Sequence, residues 1–189
     1  MANHGYITTK QILTMDKLFS MVEKINNDVL NDALKVSRPN ANIKKDDVVF
    51  VEITKDLSRL LWLQTKKKIE IRHGGGGDVA WWIDSILTND LAIAVDGKIS
   101  DDGCDGKWDP ISGKYRTFLD YKKSMWEHNQ NPTKDNFIYM DWAEEVEYLK
   151  QSNPKLLPFV GKLERPNNQD EFMIALNLQH KTLVVEKVK

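Results

Sequence analysis

Apolar residues fall at helical spacing from Ile12 through Met15, Phe19, Val22 and Ile25 to Val29, one face of a 3.6-residue period. Thr8-Thr-Lys-Gln11 stands before them as a capping box, threonine taking an N3 amide and glutamine reaching back. The pattern predicts a long N-terminal helix that runs to about Val36 and stops ahead of Pro39. Asp46 to Thr54 is short, β-branched and nearly continuous in apolar residues, and predicts a strand. Leu57, Leu60, Leu61 and Gln64, opened by Asp56, suit a short helix. From Lys66 to His73 the rhythm changes to strict alternation: Ile69 and Ile71 on one face, Glu70 and Arg72 on the other. That is a half-buried strand.

Helical spacing returns at Val79, Trp82, Ile83, Ile86 and Leu87, with Asp78 placed as N-cap. A strand over Val79–Ile83 is the competing reading. Leu91 to Val95 reads as a buried strand, and Asp96-Gly97 as a hairpin turn. Residues 100–113 are rich in Gly and Asp and predict an exposed loop. Tyr115, Phe118, Leu119, Lys122, Met125 and Trp126 give a helix to about His128. Asp141-Trp-Ala-Glu144 opens another, which ends before Pro154. Pro154 to Pro166 reads as an irregular connector. Phe172, Ile174, Leu176 and Leu178, then Leu183 and Val185, predict a C-terminal β-hairpin. The expected fold is a single compact α+β domain of 189 residues, with a mixed, mostly antiparallel sheet and room for a small helical sub-lobe over 114–153.

A formal net charge of −1 supplies no global field toward nucleic acid or membrane. The single cysteine, Cys104, cannot form an internal disulfide, which points to a reducing, cytoplasmic setting. No signal-peptide core and no apolar run of membrane-spanning length occurs. Lysine greatly outnumbers arginine and asparagine is frequent. That bias fits a low-GC genome or one of its phages.

The candidate chemistry centres on Ile71-Arg-His-Gly-Gly-Gly-Gly-Asp78. A Walker loop needs Lys-Ser/Thr after its glycines; here Asp78-Val79 follows, and an aspartate at the helix start occupies the place of an anion. An esterase oxyanion loop needs a Gly-x-Ser-x-Gly elbow, which the chain lacks. Asp101, Asp102, Asp105 and Asp109 resemble a calcium loop, but its final glutamate is replaced by Ser112. Cys104 lies beside Asp105, which disfavours a thiolate.

One catalytic pattern remains. Asp78 or Asp84 as first acid, an apolar stretch, and then Asp96-Gly-Lys98 resemble in order the PD-(D/E)xK nucleases. That resemblance implies Asp78 and Asp96 as Mg²⁺ ligands and Lys98 as the residue that stabilises developing charge. The stronger expectation is non-catalytic. Trp81 and Trp108 flank the glycine run and the acidic loop, away from the apolar helical faces that hold most of the other tryptophans. Tryptophan beside adaptable polar loops has the composition of an interface hot spot. A partner protein is expected to dock on Arg72, His73, Trp81, Asp101, Asp102, Asp105 and Trp108, as for an immunity protein, an inhibitor, or a phage assembly or virion component. No cofactor is called for in that reading.

Overall fold

The computed structural model describes residues 3–38, 47–73, 75, 77–101, 109–110, 121 and 142–160. A strand, β1 (Asn3–Thr8), opens the chain where the capping box was expected to start a helix. Helix α1 begins six residues later than the capping box implied, at Met15, and ends at Leu30 and not near Val36. Its N-cap is Thr14, whose hydroxyl accepts from the Lys17 amide at 3.2 Å. Thr8 instead serves the sheet, because Tyr6, Ile7 and Thr8 suit a pleated backbone. Leu18, Val22, Ile25 and Leu30 form the buried stripe of α1. Asn31 in the left-handed region, φ 49°, ends the helix. Buried Asn26 then holds the return of the chain, with its side chain bonded at 2.9 Å to both the amide and the carbonyl of Leu34.

Strands β2 (Lys35–Ser37), β3 (Val48–Thr54), β4 (Leu57–Thr65) and β5 (Lys68–His73) follow as antiparallel neighbours. The helix expected over 57–64 is β4. Asp56, read as its opener, lies in the β3–β4 turn. Leu61 and Leu63 face the core, while Leu60 and Trp62 are half-buried on the other side. Apolar residues on both faces hid the period of two.

Helix α2 (Gly77–Ala94) takes in all but the last residue of Leu91–Val95, the segment expected to be a strand. Leu91, Ala92 and Val95 are buried and Ile93 is exposed, which is one helical face and not an alternation. Asp96-Gly97 is therefore not a hairpin turn but a helix stop. Asp96 adopts φ 48°, its amide reaches the Ile93 carbonyl at 3.2 Å, and the Gly97 amide reaches the Ala92 carbonyl at 2.8 Å. Those two bonds make a Schellman cap. Only glycine fits after it: a Cβ at Gly97 would lie 2.8 Å from Ile7 Cγ2 and 3.1 Å from the Thr8 carbonyl.

The chain then enters β6 (Lys98–Asp101). The sheet order is β2-β3-β4-β5-β1-β6, and every pairing is antiparallel, so the expected mixed sheet is corrected to an antiparallel one. Helices α1 and α2 lie on one face of it, over Ile7, Val49, Val51, Leu61, Ile69, Ile71 and Ile99.

Helix α3 (Trp142–Ser152) stops ahead of Pro154, as expected. A 3₁₀ turn, Pro154–Leu156, and a short helix, Leu157–Val160, begin what was read as an irregular connector. The Asn153 side chain ties this part to the carbonyls of Ala33 and Ile53, at 2.7 and 2.6 Å. The C-terminal hairpin lies outside the described residues, as does the 114–153 lobe apart from Tyr121 and residues 142–153. No helix among the described residues is long and apolar enough to cross a membrane.

Candidate functional site

Strand β1 pairs with β5 on one side and with β6 on the other. His73 stands opposite Asn3, and Asp101 opposite Gly5. The C-terminal ends of β5 and β6 thus lie at the same end of the sheet, one strand apart. Neighbouring strands are about 4.8 Å apart, so the two exits are separated by about 10 Å. The glycine run leaves from β5, and the acidic segment leaves from β6. The fold brings together two strand ends, His73 and Asp101, that are distant in sequence.

Four of the seven expected docking residues can be placed against that frame. Arg72 lies on the sheet face away from the helices, and His73 ends β5. Gly77 takes φ 71°, a conformation that favours glycine, and starts α2. Gly75 has open space where a Cβ would stand. Asp78 is the second residue of α2, inside the first turn and not at the N-cap. Trp81 follows on the same helix and is 36% exposed. Asp101 ends β6. Asp102, Asp105 and Trp108 lie outside the described residues, as does Cys104.

The metal triad is not brought together. Helix α2 has 18 residues, which at about 1.5 Å per residue makes it about 27 Å long. Asp78 is near its start and Asp96 just past its end. Two carboxylates that share a cation have ligand bonds of only about 2.0–2.6 Å. Lys98 is engaged in an ion pair with Asp109. Among the described residues, no group of three or more His, Cys, Asp or Glu side chains is arranged to hold a metal ion.

Two polar constellations support this end of the sheet; Asp84 and Arg72 were singled out as site candidates in the sequence, their partners Arg59, Glu70 and His4 were not. The first lies beneath the glycine run. Arg59 points from β4 into the core, where it is fully buried, and its Nε donates to Asp84 Oδ1 on α2 at 2.7 Å. Its Nη1 reaches the carbonyls of Ser58 and Gly75, at 3.2 and 3.4 Å. One guanidinium therefore links β4, α2 and the glycine run. Its sequence signal was slight: a single cation at an inward position of an apolar strand.

The second lies on the opposite face. Glu70 is only 2% exposed. Its carboxylate accepts from His4 Nδ1 at 2.6 Å, from Arg72 Nε at 2.7 Å, and from the Gln64 amide. Arg72 also lies 4.8 Å from the centre of the Trp62 ring. Burial pushes the Glu70 carboxyl up, but hydrogen bonds from Arg72, His4 and Gln64, with the charge of Arg72, hold it below its ordinary value of 4.5. The cluster fixes His4 and Arg72, cross-strand partners at the glycine end.

A carboxyl depressed by folding contributes stability above its unfolded value, which is lost as pH falls through the folded one. Glu70→Gln should therefore be about 2 kcal/mol less stable than wild type at pH 7, the scale of hydrogen bonds to a charged group. The gap should narrow once pH falls below 4.5. Urea titrations of both proteins across that range test this; a gap independent of pH would refute the role given to the charge.

Comparisons with protein-family models, with curated proteins and with solved structures found no match to this chain, so the site is read from its own geometry.

Proposed function

We propose that the protein is a binding module whose partner, another protein, docks on the glycine end of the sheet. The observation that carries the reading is the β5-α2-β6 connection around β1. It puts the end of β5, before the glycine run, and the end of β6, before the acidic segment, on either side of β1. Trp81, on the first turns of α2, adds a partly exposed aromatic anchor. Aromatic anchors surrounded by polar groups account for most of the energy of many interfaces. The Arg59–Asp84 pair and the Glu70 cluster hold β4, β5 and α2 firmly together behind this end of the sheet. The aspartates at 101, 102 and 105 supply negative charge, which favours a partner with a basic patch. An immunity protein, an inhibitor and a phage assembly or virion component all match this description. Nuclease chemistry through Asp78, Asp96 and Lys98 has no such support.

Affinity capture from the source cells tests the reading. Wild-type protein should retain a partner that Trp81→Ala and Trp108→Ala lose by tenfold or more, while both variants stay folded by circular dichroism. Equal recovery by the folded variants would contradict it.

A further inference from the structure

The opposite end of the same strands carries different chemistry. Strand β1 runs from Asn3, at the glycine end, to Thr8, which stands between Lys68 of β5 and Lys98 of β6 in the strand register. Lys66 and Lys67 form the β4–β5 turn beside them. The segment after β1 is bonded onto that turn, Thr9 amide to Lys67 carbonyl at 3.0 Å and Leu13 amide to Lys66 carbonyl at 2.8 Å. Lys10 and Ile12 lie between those two anchors. Lys17, in the first turn of α1, reaches the same segment, where its Nζ donates to the Gln11 side chain at 2.9 Å. The last turn of α2 arrives there too, because the Thr9 hydroxyl donates to the Val95 carbonyl at 2.5 Å. Elements remote from one another in sequence therefore meet at one corner.

Two independent features mark that corner. The first is apolar. Among the described residues, Ile12 and Ile93 are the most exposed large hydrophobic side chains, at 66% and 42%. Ile12 sits on the anchored segment, and Ile93 in the last turn of α2. Single exposed apolar residues are ordinary on a protein surface; these two fall at the same end. The second feature is charge. Lys10, Lys17, Lys66 and Lys67 are exposed and form no ion pair among the described residues. Nearby, Asp16 pairs with Arg38 and Asp109 with Lys98. Asp47 and Asp96 are the remaining acids at this end, with Asp90 one turn back along α2. A chain of net charge −1 thus concentrates lysine around two exposed isoleucines.

We propose that this corner attaches the protein to an anionic membrane surface. Lys10, Lys17, Lys66 and Lys67 meet the lipid phosphates and carboxylates, and Ile12 and Ile93 enter the boundary between headgroups and acyl chains. Attachment of this kind draws on apolar burial and on attraction to anionic lipid together. Each lysine held at such a surface strengthens it by about fivefold. A nucleic acid would engage the lysines alone and leave both isoleucines in water, so lipid is the better match to the corner. The six residues of β1 separate the corner from the glycine end, about 17 Å at 3.3 Å per residue. A membrane at one end leaves the other free, and the proposal does not rest on protein docking there.

The test is sedimentation of the full-length protein with phosphatidylcholine vesicles containing about 30% phosphatidylserine. Pure phosphatidylcholine vesicles and a labelled DNA duplex serve as parallel arms. Retention is expected on the anionic vesicles only, with release as salt rises to about 0.5 M. Lys66→Glu combined with Lys67→Glu, on an exposed turn, should weaken retention at least tenfold. Ile12→Gln combined with Ile93→Gln should weaken it about fivefold or more, while circular dichroism shows both double variants folded. No retention of the wild-type protein on anionic vesicles, equal retention on phosphatidylcholine alone, or retention unchanged in either folded double variant overturns the proposal. So does duplex binding that is tighter than vesicle binding and indifferent to the isoleucines.

Discussion

Arg59→Met should cost the fold about 3–5 kcal/mol, the usual consequence of leaving one member of a buried ion pair without its partner. Asp84 is 3% exposed and would stay in the core without the guanidinium that now donates to it at 2.7 Å. Methionine fills much of the arginine stem but neutralises nothing. The reason for assigning the loss to charge is testable in the same series. Arg59→Met with Asp84→Leu removes both ions, and buried pairs replaced by apolar residues of similar volume are often neutral or stabilising. The double variant should therefore recover most of what the single one loses. Urea unfolding of the four proteins measures the coupling. If Arg59→Met alone costs less than about 1 kcal/mol, the pair is not an organising feature of the core. The same double variant also separates folding from positioning. Arg59 Nη1 reaches the Gly75 carbonyl, so a stable double variant should still present a less constrained glycine run and capture its partner less well.

Trp82→Ala should be comparably severe, about 3–5 kcal/mol. Trp82 is fully buried, and its ring lies 5.9 Å from that of Phe159, tilted by 42°. It links α2 to the short helix Leu157–Val160, so truncation leaves a cavity between two elements and removes an aromatic pair. For a chain of this length, each kcal/mol moves the melting temperature by about 2–4 °C. A drop of roughly 10 °C is expected by calorimetry or circular dichroism, and one under 3 °C would contradict the packing described. Trp81→Ala, one residue away, should cost only about 1 kcal/mol, because its ring is partly in solvent. Adjacent tryptophans then divide by role: Trp82 holds the fold and Trp81 faces outward.

What could be read in advance follows from how local each signal is. Strands β3 and β5, helix α2 as a helix, and the stop of α3 before Pro154 were legible from spacing and punctuation within single segments. Strand β4 was not, because Leu60 and Trp62 are apolar on a face that, in an antiparallel sheet, would ordinarily be polar. Leu91 to Val95 was not, because a short apolar run cannot be assigned by periodicity when a helix already precedes it. Asp-Gly is a strong hairpin signal, yet the same pair closes a helix when its amides find carbonyls one turn back. The glycine run and Trp81 were visible as candidates. Their supports were not: Arg59 meets Asp84, and His4 meets Glu70, across gaps in sequence that only the sheet register closes. A net charge is a sum over the chain, and the register decides where its parts lie.

The central claim, that a partner docks on the glycine end, is tested most directly by photo-cross-linking from helix α2. Trp81 and Ile93 are both exposed on it, 36% and 42%, and lie about 18 Å apart along the axis at 1.5 Å per residue. A benzophenone side chain is placed at position 81 in one protein and at position 93 in another, and each is irradiated with the captured partner. Cross-links from position 81 and not from 93 are the predicted result. Cross-links from 93 and not from 81 would place the partner at the other end of the helix and contradict the account.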